Sequence, residues 1–209
     1  MIVWRSGVIV ASLLALGAGV VRAADSGATA VVQRLNDTLL STLKDGESLG
    51  YEGRYKRLQP VMRDTFDLNY MAEKSLGQPW QSLSPADQAR WKQLFADFTV
   101  ANYAANFDRF TGQRFDIIGE EASVNDSKLV KTKVVSPGSE DVVLTYRLQK
   151  EPAGWRIIDV YLKGTVSELA LRRSDFASPL EREGFDALAA LLSGKIADLA
   201  AGRAKRERP

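Results

Sequence analysis

Trp155-Arg156-Ile157-Ile158-Asp159-Val160-Tyr161-Leu162-Lys163 is rich in β-branched and aromatic residues and follows the turn Pro152-Ala153-Gly154, so it reads as a strand. By strict alternation Trp155, Ile157 and Tyr161 lie on one face and Ile158, Val160 and Leu162 on the other. A half-solvated strand is apolar on one side only, so this one asks for cover on both. Upstream, Arg114 to Ala122, Lys128 to Val135 and Asp141 to Gln149 are also strand-like, separated by Asn125-Asp126 and Ser136-Pro137-Gly138. In the third, Val142, Leu144, Tyr146 and Leu148 alternate against Val143, Thr145 and Arg147. The four runs form an antiparallel meander.

Outward from this sheet the period becomes helical. Ala28, Val31, Val32, Leu35, Leu39 and Leu43 mark one buried helical face, with Gly46 as the stop. Tyr51 to Gln59 reads as a short helix broken by Pro60, and Val61 to Phe66 and Tyr70 to Leu76 as further short helical turns ending at Gly77-Gln78-Pro79. Ser84-Pro85-Ala86-Asp87 combines a hydroxyl N-cap, a first-turn proline and a carboxylate near the positive helix end. The helix it starts carries Trp91, Leu94, Phe95, Phe98 and Asn102, an aromatic stripe prolonged by Tyr103, Phe107 and Phe110, with Gly112 as its close. After the sheet, Thr165-Val166-Ser167-Glu168 matches a capping box, and Leu188, Leu192, Ile196 and Leu199 mark a last amphipathic helix. Helices, then sheet, then helices is the order of an α+β domain.

The ends predict the compartment. Arg5 supplies a basic n-region, Val8 to Val21 an apolar run and Val21-Arg22-Ala23 a small-residue cleavage pattern, so residues 1–23 read as a signal peptide, with an uncleaved anchor as the alternative. One domain is expected over 24–201 and a basic flexible tail over 202–209. Loss of Arg5 and Arg22 from 28 basic side chains leaves 26 against 26 acidic ones. That neutrality argues against a nucleic-acid partner, which demands a basic face.

The chain has no histidine and no cysteine. The usual general base, metal ligand, pH switch, disulfide and lipoprotein anchor are thereby excluded together. No P-loop, Rossmann glycine pattern or nucleophile elbow is present. No metal and no cofactor is expected. Asp159 lies among apolar neighbours and needs a partner, for which Arg172, Arg173 or a helix-start amide are the candidates. An enzymatic alternative uses Asp159 as base with Tyr146 or Tyr161 as oxyanion donor, in the manner of a ketosteroid isomerase. A ligand-free adaptor is the third reading.

The chain resembles the MlaC-type periplasmic phospholipid-binding proteins that accompany an ABC transporter. The resemblance spans roughly residues 30–195 and rests on Trp155 to Val160, Gly164, Val166-Ser167 and Arg173-Ser174-Asp175-Phe176, with Phe66-Asp67, Gly77, Trp80, Leu83-Ser84 and Tyr146-Arg147-Leu148 upstream. Gly164-Thr165-Val166-Ser167-Glu168-Leu169 is one residue longer than the usual Gly-Val-Ser pattern, a variant similar to the HpnM subgroup associated with hopanoid biosynthesis.

The resemblance implies an NTF2-like fold, with helices on a curved four-stranded antiparallel sheet around an apolar cavity. It also implies a monomeric periplasmic carrier that moves phospholipid or hopanoid between inner-membrane and outer-membrane lipid-transport complexes. The expected lipid-facing residues are Phe66, Leu76, Phe95, Phe98 and Tyr103 from the helices, Leu144, Tyr146, Ile157 and Tyr161 from the strands, and Val166 and Leu169 from the segment beyond. Arg172 and Arg173 are the candidates for a headgroup or partner contact. Ile157 and Val160 are expected to point to opposite sides, with Ile157 facing the ligand beside Trp155, Tyr161 and Tyr146.

Overall fold

The computed structural model describes residues 27–203. The expected signal peptide, 1–23, and residues 204–209 of the expected tail lie outside them. Helices α1 (Ala28–Lys44), α2 (Gly46–Thr65), α3 (Leu68–Leu76) and α4 (Pro85–Asn106) precede strands β1 (Arg114–Ala122), β2 (Lys128–Val135), β3 (Val142–Glu151), β4 (Gly154–Leu162) and β5 (Val166–Ser167), and α5 (Glu168–Glu183) and α6 (Phe185–Ala200) follow. The five strands form one antiparallel sheet in sequential order, so the α+β expectation holds and the sheet has a short fifth strand beyond the four expected. None of the described helices is long and apolar enough to cross a membrane.

Several local expectations change. Gly46 opens α2 instead of ending α1, and it must be glycine because a side chain there would collide with the Asp108 backbone. Pro60 does not break α2, which runs through it; the non-helical backbone lies at Gly50, with φ 60°. Proline removes one amide donor, and at this exposed position water can take the carbonyl left behind. The aromatic stripe outlasts its helix, since α4 stops at Asn106 and the Phe107 amide closes onto the Tyr103 carbonyl, 2.9 Å away, well before Gly112. Ser84 caps α4 as expected, its hydroxyl accepting from the Asp87 amide at 3.1 Å. Ser167, not Thr165, caps α5 by accepting from the Ala170 amide, because Val166 and Ser167 are first used as a strand on the edge of β4.

A β-bulge sets the faces of the sheet. Arg147 pairs with Asp159 but Leu148 pairs with Ile157, so Ile158 is an extra residue and the alternation of β4 shifts there. Ile157, Val160 and Leu162 therefore share the helix-side face with Leu148, Tyr146 and Leu144, while Asp159 and Tyr161 lie on the other side with Arg147 and Thr145. Ile157 and Val160 do not point to opposite sides. The opposite sheet face carries the solvent-exposed ion pairs Lys131–Glu121 and Lys133–Asp141, so one helical layer suffices.

Asp159 is satisfied by the helix-start amide. Its carboxylate accepts from the amides of Val160 (2.8 Å) and Leu169 (3.2 Å) and from the Ser167 hydroxyl (2.7 Å). A negative charge is thus held at the positive end of α5, which anchors that helix to β4.

Candidate functional site

Helix α4 is apolar on two faces. Ala96, Val100 and Ala104, four residues apart, are buried on one, and the helix packs closely on α2, α3 and α6. Trp91, at its start, donates from its indole to the Ala72 carbonyl at 3.0 Å and sits edge-on to Phe176. The second face, Phe95, Phe98, Thr99, Asn102, Tyr103 and Asn106, looks across a gap at Leu144 and Tyr146 of β3 and Val160 and Leu162 of β4. α1, α2, α3 and α5 come up directly to the strands, and the space left between α4 and the sheet is a cavity of about 420 Å³. Phe66 and Met71 line it beside α4. The start of α5 contributes Glu168, Leu169, Leu171, Arg172 and Asp175 to the lining.

The lining is graded from apolar to polar. Phe66 meets Tyr103 edge-on, and Tyr103 stacks on Phe107, with ring centres 6.1 and 5.5 Å apart. Around Tyr146 and Tyr103 burial pushes both phenols well above their ordinary value, so they hold their protons. At the rim the Arg172 guanidinium lies over the Phe98 ring at 5.2 Å and forms ion pairs with Glu168 (3.5 Å) and Asp175 (3.8 Å). Leu171 is 42% exposed beside it. The site can therefore accept an apolar body inside and a charged or polar group at its edge.

Of the residues expected to face a ligand, Phe66, Phe95, Phe98, Tyr103, Leu144, Tyr146, Leu169 and Arg172 are brought together on this lining. Leu76 and Ile157 are instead buried in the packed core. Ile157 is tied to the end of α2 by the Asp67 amide, which donates to its carbonyl at 2.9 Å. Tyr161 lies on the far sheet face, Val166 in the edge strand β5, and Arg173 is exposed, its stem over Gly77. Sequence reasoning did not assign the lining residues Met71, Thr99, Asn102, Asn106, Phe107, Val160, Leu162, Glu168, Leu171 and Asp175 to the site. Asn102 and Asn106 were discoverable as a polar i,i+4 pair on an otherwise aromatic helix face; Val160 and Leu162 were hidden by the bulge.

The enzymatic alternative loses its geometry here. Asp159 is on the sheet face opposite Tyr146, with its oxygens occupied by the α5 start; Tyr161 shares the Asp159 face, but neither of these two lines the cavity. Among the described residues no group of acidic side chains is arranged to hold a metal ion. A second depression of about 590 Å³ mixes apolar side chains such as Phe66 and Leu68 with the charged groups of Arg63, Asp67, Lys92, Glu151 and Arg156, and is more polar than the first.

The protein-family model described as MlaC protein matches residues 33–194. The chain belongs to the MlaC family. MlaC proteins are periplasmic, and the match takes in every element from the first turns of α1 into α6, including all the cavity walls. The phospholipid-binding protein from Ralstonia solanacearum, solved in complex with a phospholipid, superposes with a TM-score of 0.73. The match covers 83% of this chain and 99% of that one at 23% identity, a likeness in fold.

Proposed function

We propose that this MlaC-family protein is a periplasmic lipid carrier that holds one lipid by its hydrocarbon part between α4 and β3–β4. It exchanges that lipid with inner-membrane and outer-membrane transport complexes, and no bond is made or broken. The observation that carries this reading is the aromatic and aliphatic cavity in an otherwise close-packed domain. Arg5 and the apolar run after it support export, as does the family's compartment. The cargo is a phospholipid or a hopanoid; the longer Gly164 to Leu169 segment favours the HpnM-type assignment.

The physical demand on such a carrier is large. Each exposed methylene costs about 0.8 kcal/mol and a diacyl lipid has roughly thirty, so crossing water unaided costs up to about two dozen kcal/mol. A dry lining offsets this by area and shape, not by hydrogen bonds. Release needs a wall that yields, and α5 suits that part: of its sixteen residues only Phe176 is buried.

The test is native mass spectrometry of the mature protein purified from a lipid-replete bacterium, followed by solvent extraction. One chemically unchanged lipid per chain is expected. Protein recovered with no lipid under those conditions would instead support the ligand-free adaptor.

A further inference from the structure

Among the described residues two fully buried side-chain polar atoms have no hydrogen-bond partner: Asn36 Oδ1 and the Tyr146 hydroxyl. Asn36 belongs to the interior beneath β2, where its amide faces Thr132 Oγ1 at 3.5 Å. Tyr146 is different, because it lines the cavity. It is 0% exposed, and its neighbours on the same face of β3 are Leu144 and Leu148. A phenylalanine would pack there equally well without a hydroxyl to desolvate. Tyr103, Glu168 and Arg172 line the same cavity as Tyr146. The lining thus holds polar groups from β3, α4 and α5.

Resting on the carrier reading, we infer that the Tyr146 hydroxyl donates a hydrogen bond to an uncharged acceptor oxygen of the cargo, so that the cavity selects amphiphiles bearing such an oxygen between hydrocarbon and polar end. A charged group is not its partner: Arg172 and its acidic neighbours at the α5 start already provide the place for charge, and an anion at this buried position would have no countercharge to offset its desolvation. The ester carbonyl of a glycerolipid and the hydroxyl of a polycyclic lipid share this chemistry. They differ in where the oxygen sits.

The experiment measures competitive binding to the delipidated mature protein and to Tyr146→Phe with two matched pairs of ligands. One pair is diester and diether phosphatidylcholine of equal chain length; the other is a polycyclic alcohol and its deoxy analogue. Wild type is expected to prefer the better acceptor in at least one pair by about 5–10-fold, and the pair affected identifies the source of the oxygen. Tyr146→Phe should bring that ratio to within about twofold while still binding the diether lipid or the deoxy compound, and when empty it should melt no lower than wild type, since no buried hydroxyl remains. Equal binding within both pairs by wild type overturns the inference while leaving the carrier intact, and so does a preference that survives in Tyr146→Phe. If wild type binds none of the four ligands, the carrier reading itself fails.

Discussion

Val160 and Ile157 stand three residues apart on one strand, on the same face, yet they do different work. Val160 forms part of the cavity wall, whereas Ile157 is fully buried and tied through its backbone to the junction of α2 and α3. Tryptophan at Val160 fills space that a lipid would occupy, so Val160→Trp is expected to fold and to carry markedly less lipid after purification. Tryptophan at Ile157 has nowhere to go; overpacking of that kind costs about 1–3 kcal/mol or more, so Ile157→Trp should melt well below wild type. Thermal unfolding together with lipid extracted per chain separates the two. A stable, lipid-free Ile157→Trp beside an unstable Val160→Trp would reverse the assignment.

The elements are joined by a few buried polar ties. Arg54 of α2 donates from Nε to the Ala104 carbonyl in the last turn of α4 and from a terminal nitrogen to the Gly46 carbonyl, both at 2.7 Å. It thereby satisfies carbonyls at two places where helices begin or end. This clamp ties the last turn of α4 to α2 and so fixes how the two helices pack there. Arg54→Met keeps the stem but strands both carbonyls, and is expected to lower unfolding stability by about 2–3 kcal/mol in denaturant titrations. If stability is unchanged, the clamp does not set the helix packing. Elsewhere, Asp159 fastens the first turn of α5, and further along that helix Phe176 is its one buried residue, seated edge-on against Trp91.

For the whole molecule, two carboxyls with opposite shifts shape stability against pH. Glu120, which receives hydrogen bonds from Lys128 and from Thr29 at the start of α1, is lowered from its ordinary 4.5; its stabilising contribution is present above that value and is lost as pH falls through the lower folded one. Glu151 is raised from the same ordinary value, first by a hydrogen bond shared with Asp67 and then by burial. Its contribution is complete below the ordinary value and is lost as pH rises through the folded one. Glu151→Gln retains a hydrogen bond to Asp67 without titrating, so it should raise the melting temperature at about pH 7 and leave it nearly unchanged at about pH 4. Glu120→Gln should flatten the acid limb. A Glu151→Gln effect of equal size at both pH values would mean that Glu151 does not titrate as described.

The sequence by itself determined the class of the fold and most of its parts. The period of Ala28 to Leu43, the Ser84 cap, and the turns bounding Arg114 to Ala122 and Lys128 to Val135 are local signals, and the elements formed where those signals placed them. The aromatic face of α4 was legible for the same reason, and with it Phe95, Phe98 and Tyr103 of the cavity. Tertiary structure alone decided which strand residues join them. One extra residue at Ile158 moves Ile157 onto the face of Val160 and sends Tyr161 away, and alternation counted along one strand cannot register a bulge that exists only relative to its partner. The same holds for Gly46, whose role depends on Asp108, more than sixty residues further along the chain, and for Asp159, whose partner amide comes into reach only when β5 turns back along β4.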